Sequence, residues 1–434
     1  MGNSVWKQYL WKAAFQLTKM QNQRSCLLIL ILLSVTLGFI LHSQMSQNFL
    51  EDEYFVDAVK CPACYGTSAC QRFRRKEYQL HSYSQFRMFD LVNTKNVHHG
   101  AHMEVQSVVF KKLASDEELR QFDDDICIQA NQRRGCDVSV AIFKSDLVDI
   151  IYSHMLEHNH VSDMSDLVRC PSQRLLDRIY DMYKERQSDG FLSRHNKIQL
   201  ITTIAINPEP LVLQIFPQSD GWPFPRYLGA CGRFIVEEKI DTPLYKFLEA
   251  SWATRLSIAL QVLQIAEKFT DNDLGYALYP TDITLENLAV TDKEEVMFID
   301  AENILVVDRE QIRKDAAEGW DIKTEAIPDG CPAEQYCLAF SPQDLCTRYF
   351  TDHNYYAFIH GLFGKQNSNY PYGLLHSIPH DVPDGEKLQR LLEECINPSK
   401  PLGRFDAFPQ LLKLVEKLNR YYQGGRGNQR KEFK

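Results

Sequence analysis

The stretch Tyr279-Pro-Thr-Asp-Ile-Thr-Leu-Glu-Asn-Leu-Ala-Val290, continued by Val296-Met-Phe-Ile-Asp-Ala-Glu302, decides how the rest of the chain is read. Asp282 precedes Asn287 by five residues, and a second acid, Asp300, follows the asparagine by thirteen. Two apolar runs, Leu288-Ala-Val290 and Val296-Met-Phe-Ile299, flank the polar turn Thr291-Asp-Lys-Glu-Glu295. That pattern predicts a β-hairpin presenting Asp282 and Asn287 on one side and Asp300 on the other. Chemically the three belong together. One carboxylate can orient a hydroxyl and take its proton, while an amide and a second carboxylate hold the metal ions that neutralise phosphates. Transfer of a phosphoryl group from ATP with Mg or Mn needs this set, which makes Asp282 the candidate catalytic residue and Asn287 and Asp300 the candidate metal ligands.

The order Asp-x-x-x-x-Asn, then a metal-binding Asp opening the next loop, is that of a protein-kinase catalytic loop. Upstream, Val108-Val-Phe-Lys-Lys-Leu113 reads as an apolar strand carrying a lysine, in the manner of the kinase Val-Ala-Ile-Lys strand. Lys111 is then the candidate nucleotide-phosphate contact and Lys112 faces away; a lysine guarding a sheet edge is the competing reading. Glu209 is the candidate ion-pair partner of Lys111, against an acid merely favoured at a helix start, and Pro210 argues against a mid-helix position. Trp222 to Glu238 reads as two strands around Gly229 and Gly232, ending at Glu237-Glu238. Pro243 to Ala250 and Trp252 to Lys268 read as helical, the second with Leu256, Ala259, Leu260, Leu263 and Ala266 on one face. Residues 305–350 read as a cysteine-bearing loop region. Asp352-His-Asn-Tyr-Tyr356 opens a helix whose leading Asp either braces the catalytic-loop backbone or caps the helix. Helices over 386–395 and 406–422 complete the chain.

The fold expected is α+β and bilobal, kinase-like, preceded by an N-terminal membrane span. Residues 78–238 form a β-rich N-lobe with a helical insertion at 114–205, and residues 239–434 a mainly helical C-lobe. The insertion holds no EF-hand loop. It does contain His154-Met-Leu-Glu-His158, a match to the inverted zincin pattern, in which two histidines hold zinc and Glu157 acts as base. Such a site requires a third ligand and so short a pattern recurs by chance, so a zinc hydrolase is the more distant alternative.

With 434 residues, 44% of them hydrophobic, the chain can bury a large core, and a formal charge of −9 argues against nucleic acid as a main partner. Cys26 to Leu41 is apolar and uncharged, preceded by Lys7, Lys12, Lys19 and Arg24 and followed by Glu51, Asp52, Glu53 and Asp57. The positive-inside rule makes this a type II signal-anchor: 1–25 a cytosolic tail, 26–44 the span, and 45–77 a luminal stem with a Cys-rich segment. The span is short and suits an ER or Golgi bilayer; a cleaved signal peptide is the alternative. Trp6 breaks the myristoylation pattern. Of twelve cysteines, eleven lie beyond the span, so an oxidising lumen leaves at least one unpaired within the chain. Cys61, Cys64 and Cys70 are expected to pair among themselves and with one further partner, Cys127 with Cys136, and Cys331 with Cys337. Zinc at Cys61-Pro-Ala-Cys64 lacks a second ligand pair. No Asn-x-Ser/Thr sequon occurs. Arg72-Phe-Arg-Arg75 is either a solvated basic cluster or a convertase site whose cleavage would release a secreted form.

Several long segments carry a resemblance: Cys61-Pro-Ala-Cys-Tyr-Gly-Thr-Ser-Ala-Cys70, Cys170-Pro-Ser-Gln-Arg-Leu-Leu-Asp-Arg178, Asn207-Pro-Glu-Pro-Leu-Val-Leu213, Tyr227-Leu-Gly-Ala-Cys-Gly-Arg233, Ile299-Asp-Ala-Glu-Asn303 and Asp352-His-Asn-Tyr-Tyr356. From about Cys61 to the C-terminus the chain resembles the divergent protein kinase domain 2 family, also called the deleted-in-autism family, related to other Golgi and secreted kinase-like proteins. The resemblance implies a kinase-like fold in the Golgi membrane with its domain in the lumen, or secreted, and partners that are luminal or extracellular proteins. It does not by itself imply catalysis. Pro280-Thr281 replaces the usual His-Arg, Thr284 the lysine that steadies the transferred phosphate, and Asp300-Ala-Glu302 the Asp-Phe-Gly. No Gly-x-Gly-x-x-Gly precedes Lys111 and no Ala-Pro-Glu follows Asp300. Losing one transition-state charge contact costs several kcal/mol, yet metal ions and positioning supply most of the rate. Two functions therefore stand: a kinase acting on hydroxyls of luminal or secreted proteins, and an inactive pseudokinase serving as a secreted ligand or a Golgi trafficking scaffold.

Overall fold

The computed structural model describes residues 49–81, 97–103, 107–147, 157–161, 164–184, 191–326, 341–364 and 371–429. A short helix α1 (Cys70–Arg74) leads into strands β1 (Tyr78–Leu80), β2 (Val97–His102) and β3 (Val108–Lys112). With β4 (Tyr227–Cys231) and β5 (Phe234–Glu238) these make an antiparallel sheet in the order β1-β2-β3-β5-β4. Val108 and Phe110 face one layer, where Phe110 meets Phe73 and Tyr78 edge-on at 5.7 and 5.8 Å. Lys111 therefore lies on an inner strand, between β2 and β5, and is not an edge guard.

The segment expected as a luminal stem is built into this lobe. Leu50, Val56, Ala69 and Phe73 share an apolar cluster with Tyr78, Phe110, Phe234 and Val236. Its backbone is tied to the β4–β5 turn, Tyr65 N donating to Gly232 O at 2.9 Å, Ala69 N to Ala230 O at 2.8 Å and Arg233 N to Val56 O at 2.8 Å. The turn requires Gly232: its φ is +64°, and a Cβ there would sit 2.0 Å from Val56 O. Cys70 is bonded to Cys231, which supplies the further partner expected for the Cys61 group, while Cys61 and Cys64 close on each other. That last bond also removes the zinc reading of this pair.

Between β3 and β4 the chain is largely helical. Helix α2 (Asp116–Gln129) starts in a capping box formed by Ser115 and Glu118, two mutually satisfied amides that fix where it begins. Cys127 is bonded to Cys136, as expected. Helices α3 (Gln173–Met182), α4 (Arg194–Ile206) and α5 (Glu209–Ile215) follow. Arg233 is 2% exposed and donates to Asp123 on α2, which also accepts from Lys60 at 2.9 Å. One carboxylate thus joins the sheet, the insertion and the N-terminal strap.

The second lobe is organised on α6 (Trp252–Thr270), whose Leu256, Ala259, Leu263 and Ala266 are fully buried. Strands β7 (Tyr276–Pro280) and β10 (Ile304–Asp308) pair antiparallel, and β6 (Thr242–Pro243), β8 (Leu288–Val290) and β9 (Val296–Phe298) form a small sheet in the order β6-β8-β9. Helices α7 (Arg309–Asp315), α8 (Pro342–Thr347), α9 (His353–Phe363), α10 (Gly385–Ile396) and α11 (Gly403–Gln429) complete it. Two expectations are corrected here. Residues 305–350 are not a plain loop: Ile304-Leu-Val-Val-Asp308 is a buried strand in register with β7, α7 follows it, and Cys346 on α8 is bonded to Cys170. Pro243 to Ala250 is a strand end and a 3-10 turn, Leu244–Phe247, rather than a helix. Cys395 is the free cysteine among the described residues and is buried. The span at 26–44 and the pair Cys331 and Cys337 lie outside the described residues; within them no helix is long and apolar enough to cross a membrane.

Candidate active site

The hairpin read from the sequence is present. Leu288 pairs with Phe298 and Val290 with Val296, and Ile299 N donates to Asn287 O at 2.9 Å, which carries the pairing up to both functional ends. Asn287 is buried, and its Nδ2 donates to Asp282 Oδ2 at 3.1 Å and to Asp282 O at 3.3 Å. The amide so used holds the candidate catalytic carboxylate in place and leaves Oδ1 as the atom with which Asn287 would ligate a metal. On the other side Thr281 N donates to Asn303 O at 2.9 Å, so the Asp282 loop is pinned at both ends.

Its support comes from α9, though not through the residue expected. Asp352 accepts from Ala326 N at 2.6 Å and pairs with Arg404 at 3.2 Å; it neither braces the loop backbone nor caps the helix with its side chain. The next two residues reach the loop instead. His353 Nε2 donates to Pro280 O at 3.0 Å and Asn354 Nδ2 to Leu278 O at 2.9 Å. Burial pushes the His353 imidazole down to about 4, so it acts as a neutral donor.

Lys111 and Glu209 meet at 2.9 Å. Pro210 is compatible with this because Glu209 is the first residue of α5, where a proline beside it sacrifices no helical hydrogen bond. Asn207 Oδ1 accepts from Glu209 N at 3.0 Å, and Glu209 Oε1 accepts from Ala301 N at 3.3 Å, which links β3, α5 and the Asp300 segment. A second buried acid, Glu237 on β5, contacts the same ammonium at 2.8 Å. Burial works against the Lys111 charge, but the carboxylates of Glu209, Glu237 and Asp300 outweigh it and raise its pKa. Burial raises the Glu209 pKa, with Lys111 opposing, and pushes Glu237 up to about 8. Glu302 is pushed to about 7 by burial and by the nearby Asp300 and Glu209, and accepts from Asn207 Nδ2 at 2.6 Å.

Lys111, Asn207, Glu209, Asp300 and Glu302 line a cleft of about 590 Å³, together with Arg169. The structure brings Lys111, Glu209 and Asp300 to one wall and keeps Asp282 hydrogen-bonded to Asn287 outside it, joined through Ile299. Reading the sequence missed Glu237, Glu302, Arg169 and His353. The signal for Glu237 was there: Ile235 and Glu237 pair with Lys111 and Val109 across β3 and β5, so period-two alternation puts Glu237 on the face of Lys111.

An amide oxygen at Asn287 and a carboxylate at Asp300 suit Mg or Mn, hard ions whose other ligands are phosphate oxygens and water. Among the described residues no three His, Cys, Asp or Glu side chains form a self-sufficient metal site. Of the zinc alternative's residues, Glu157 is extended, with φ −108° and ψ 150°, and His158 Nε2 bonds Val168 O at 3.0 Å; His154 lies outside the described residues.

The profile of a family described as "Protein-kinase domain of FAM69" matches residues 201–398. "Divergent protein kinase domain 2A" of Homo sapiens is 39% identical over 405 residues, covering 89% of this chain and 94% of that protein. Its Xenopus tropicalis counterpart is 39% identical over 390 residues, 87% of this chain and 91% of that one. "Divergent protein kinase domain 2B" of Mus musculus is 31% identical over 300 residues, 66% of this chain and 69% of that one. The sheet order, the Lys111–Glu209 pair and this near full-length similarity agree: the chain belongs to the divergent protein kinase domain 2 family.

Proposed function

We propose that this protein is a kinase of the secretory pathway, transferring the ATP γ-phosphate to hydroxyl groups of luminal or secreted proteins. The observation that carries the reading is the Lys111–Glu209 ion pair, closed at 2.9 Å, with Glu209 also holding Ala301 N beside Asp300. In this reading Lys111 binds the nucleotide phosphates, and Asn287 and Asp300 hold Mg or Mn, which when bound neutralises phosphate charge. Asp282, oriented by Asn287, takes the proton of the attacking hydroxyl. The bond from that oxygen to the γ-phosphorus forms while the β–γ bridging bond breaks, and ADP leaves with the electron pair. The apolar segment from Cys26 to Leu41 and four disulfides among the described residues support residence in the Golgi lumen, tethered or secreted.

A pseudokinase is the second reading, favoured by Thr284 in place of the phosphate-steadying lysine. The two part on turnover. The full chain, incubated with ATP and Mg or Mn beside Asp282→Ala and Asp300→Ala, should transfer phosphate in wild type only. Metal-dependent ATP binding without transfer would establish the pseudokinase, and neither binding nor transfer would leave the fold as a scaffold.

A further inference from the structure

We propose that Glu237 occupies Lys111 as an internal stand-in for the nucleotide's phosphate, so that a nucleotide enters only when this carboxylate leaves the ammonium. The proposal rests on the cleft being a nucleotide site. A lysine ammonium has three protons to donate. Here three acceptors surround it: Glu209 Oε1 at 2.9 Å, Glu237 Oε1 at 2.8 Å and Ile299 O at 2.7 Å. A phosphate oxygen would be a fourth, so one of the three has to yield.

The tethers of each acceptor identify which. Ile299 O is main chain at the end of β9, and Ile299 N is bonded to Asn287 O, so it cannot withdraw without opening the hairpin. Glu209 Oε1 also holds Ala301 N. Glu237 has neither restraint. Its Oε2 is buried with no hydrogen-bond partner among the described residues, so Lys111 is what keeps the carboxylate where it lies. The backbone of Glu237 is fixed in register opposite Val109, and release is therefore a side-chain rotation within an intact sheet. Charge points the same way: burial already pushes the Glu237 carboxyl up to about 8, so it can give up the ammonium to a polyphosphate without leaving a buried charge behind.

The test is ATP binding by the full chain in Mg²⁺, measured by calorimetry for wild type, Glu237→Gln, Lys111→Met and the double variant. Glutamine keeps the shape and cannot ionise. A lock closed about nine times in ten lowers apparent affinity roughly tenfold, so Glu237→Gln should bind ATP about tenfold more tightly. That gain should vanish in the Lys111→Met background. A Glu237→Gln protein that melts at or above the wild-type temperature and binds ATP no better overturns the proposal, as does a gain that persists without Lys111. Should Glu237→Gln not fold, Glu237→Leu, an apolar replacement for a buried charge, carries the same expectation. Binding by wild type that is unchanged in these variants sinks the proposal alone. No binding by wild type, Glu237→Gln or Glu237→Leu sinks the nucleotide reading of the cleft and this proposal with it.

Discussion

Acid should loosen this protein through one buried imidazole, and the loosening should start beneath the Asp282 loop. His353 donates to Pro280 O from the base of α9, and burial holds its pKa at about 4 against an ordinary 6.5. The unfolded chain takes up a proton near pH 6.5 while the folded one does so only near pH 4. Between those values the unfolded state binds more protons, so this stability is complete above pH 6.5 and drains away as pH falls toward 4. At about 1.4 kcal/mol per pH unit inside the window, roughly 2 kcal/mol is gone by pH 5 and about 3 kcal/mol by pH 4. Glu237 and Glu302 act in the opposite sense: their folded pKa values are raised, to about 8 and about 7, so lowering the pH favours the folded state through them. A single urea titration would sum these trends. The informative comparison is wild type against His353→Gln, whose amide can still donate to Pro280 O but does not titrate. Between pH 7 and pH 5 wild type should lose about 2 kcal/mol more than the variant, read from the urea midpoints at constant slope. The same pH dependence in both proteins would show that the imidazole is not held neutral, and the anchoring role given to it would fall.

Removing Cys70–Cys231 by paired serine substitution opens a link across 161 residues, worth roughly 5 kcal/mol of chain entropy, and should lower the melting temperature far more than opening the three-residue Cys61–Cys64 link. Equal losses would mean that the crosslink is not what attaches the strap. Lys111→Met leaves Glu209 and Glu237 buried without their cation, at about 3–5 kcal/mol where both are ionised. Because both carboxyls have raised pKa values, the cost should be larger at pH 9 than at pH 5.5; thermal melts at the two pH values decide it, and an equal loss at both contradicts the electrostatic account. Arg404→Met strips the partner from the fully buried Asp352 and should cost roughly 3–5 kcal/mol while leaving ATP affinity of the folded fraction unchanged. A fall in affinity would show that Asp352 supports the loop after all.

What the sequence disclosed and what it hid follow one physical division. The hairpin around Asn287 and Asp300 was legible because apolar runs and a charged turn are local, and strand pairing across a short turn needs no information from elsewhere. The Lys111–Glu209 pair could be anticipated from motif order, but its closure depends on α5 beginning at Glu209, where Pro210 is tolerated. Glu237 required knowing which strand lies beside β3. Its partner Val109 is more than a hundred residues away, beyond the reach of any local pattern. The β10 strand was hidden for a different reason: Ile304-Leu-Val-Val307 is a short apolar run whose partner β7 lies across the Asp282 loop, in a place where a kinase motif points to a loop. The Asp352 role went to His353 because the N-cap geometry turns the aspartate toward Arg404 and the following imidazole toward Pro280.

The strap at 49–77 shows how much rests on such long-range pairings. Composition read it as an acidic stem with a basic cluster at Arg72-Phe-Arg-Arg75, and from composition alone a cut there would free the domain. Arg72 is engaged instead: its guanidinium donates to Leu228 O and lies 5.3 Å over the Tyr78 ring, within helix α1. Proteases favour exposed, flexible loop tips, and a helix bonded at one end to Cys231 is a poor substrate. A cut after Arg75 would still leave everything N-terminal to it attached, through Cys70–Cys231 and through the apolar cluster of Leu50, Val56 and Phe73. The strap therefore stays with the lobe whether or not the chain is cut after Arg75, because it is part of the lobe.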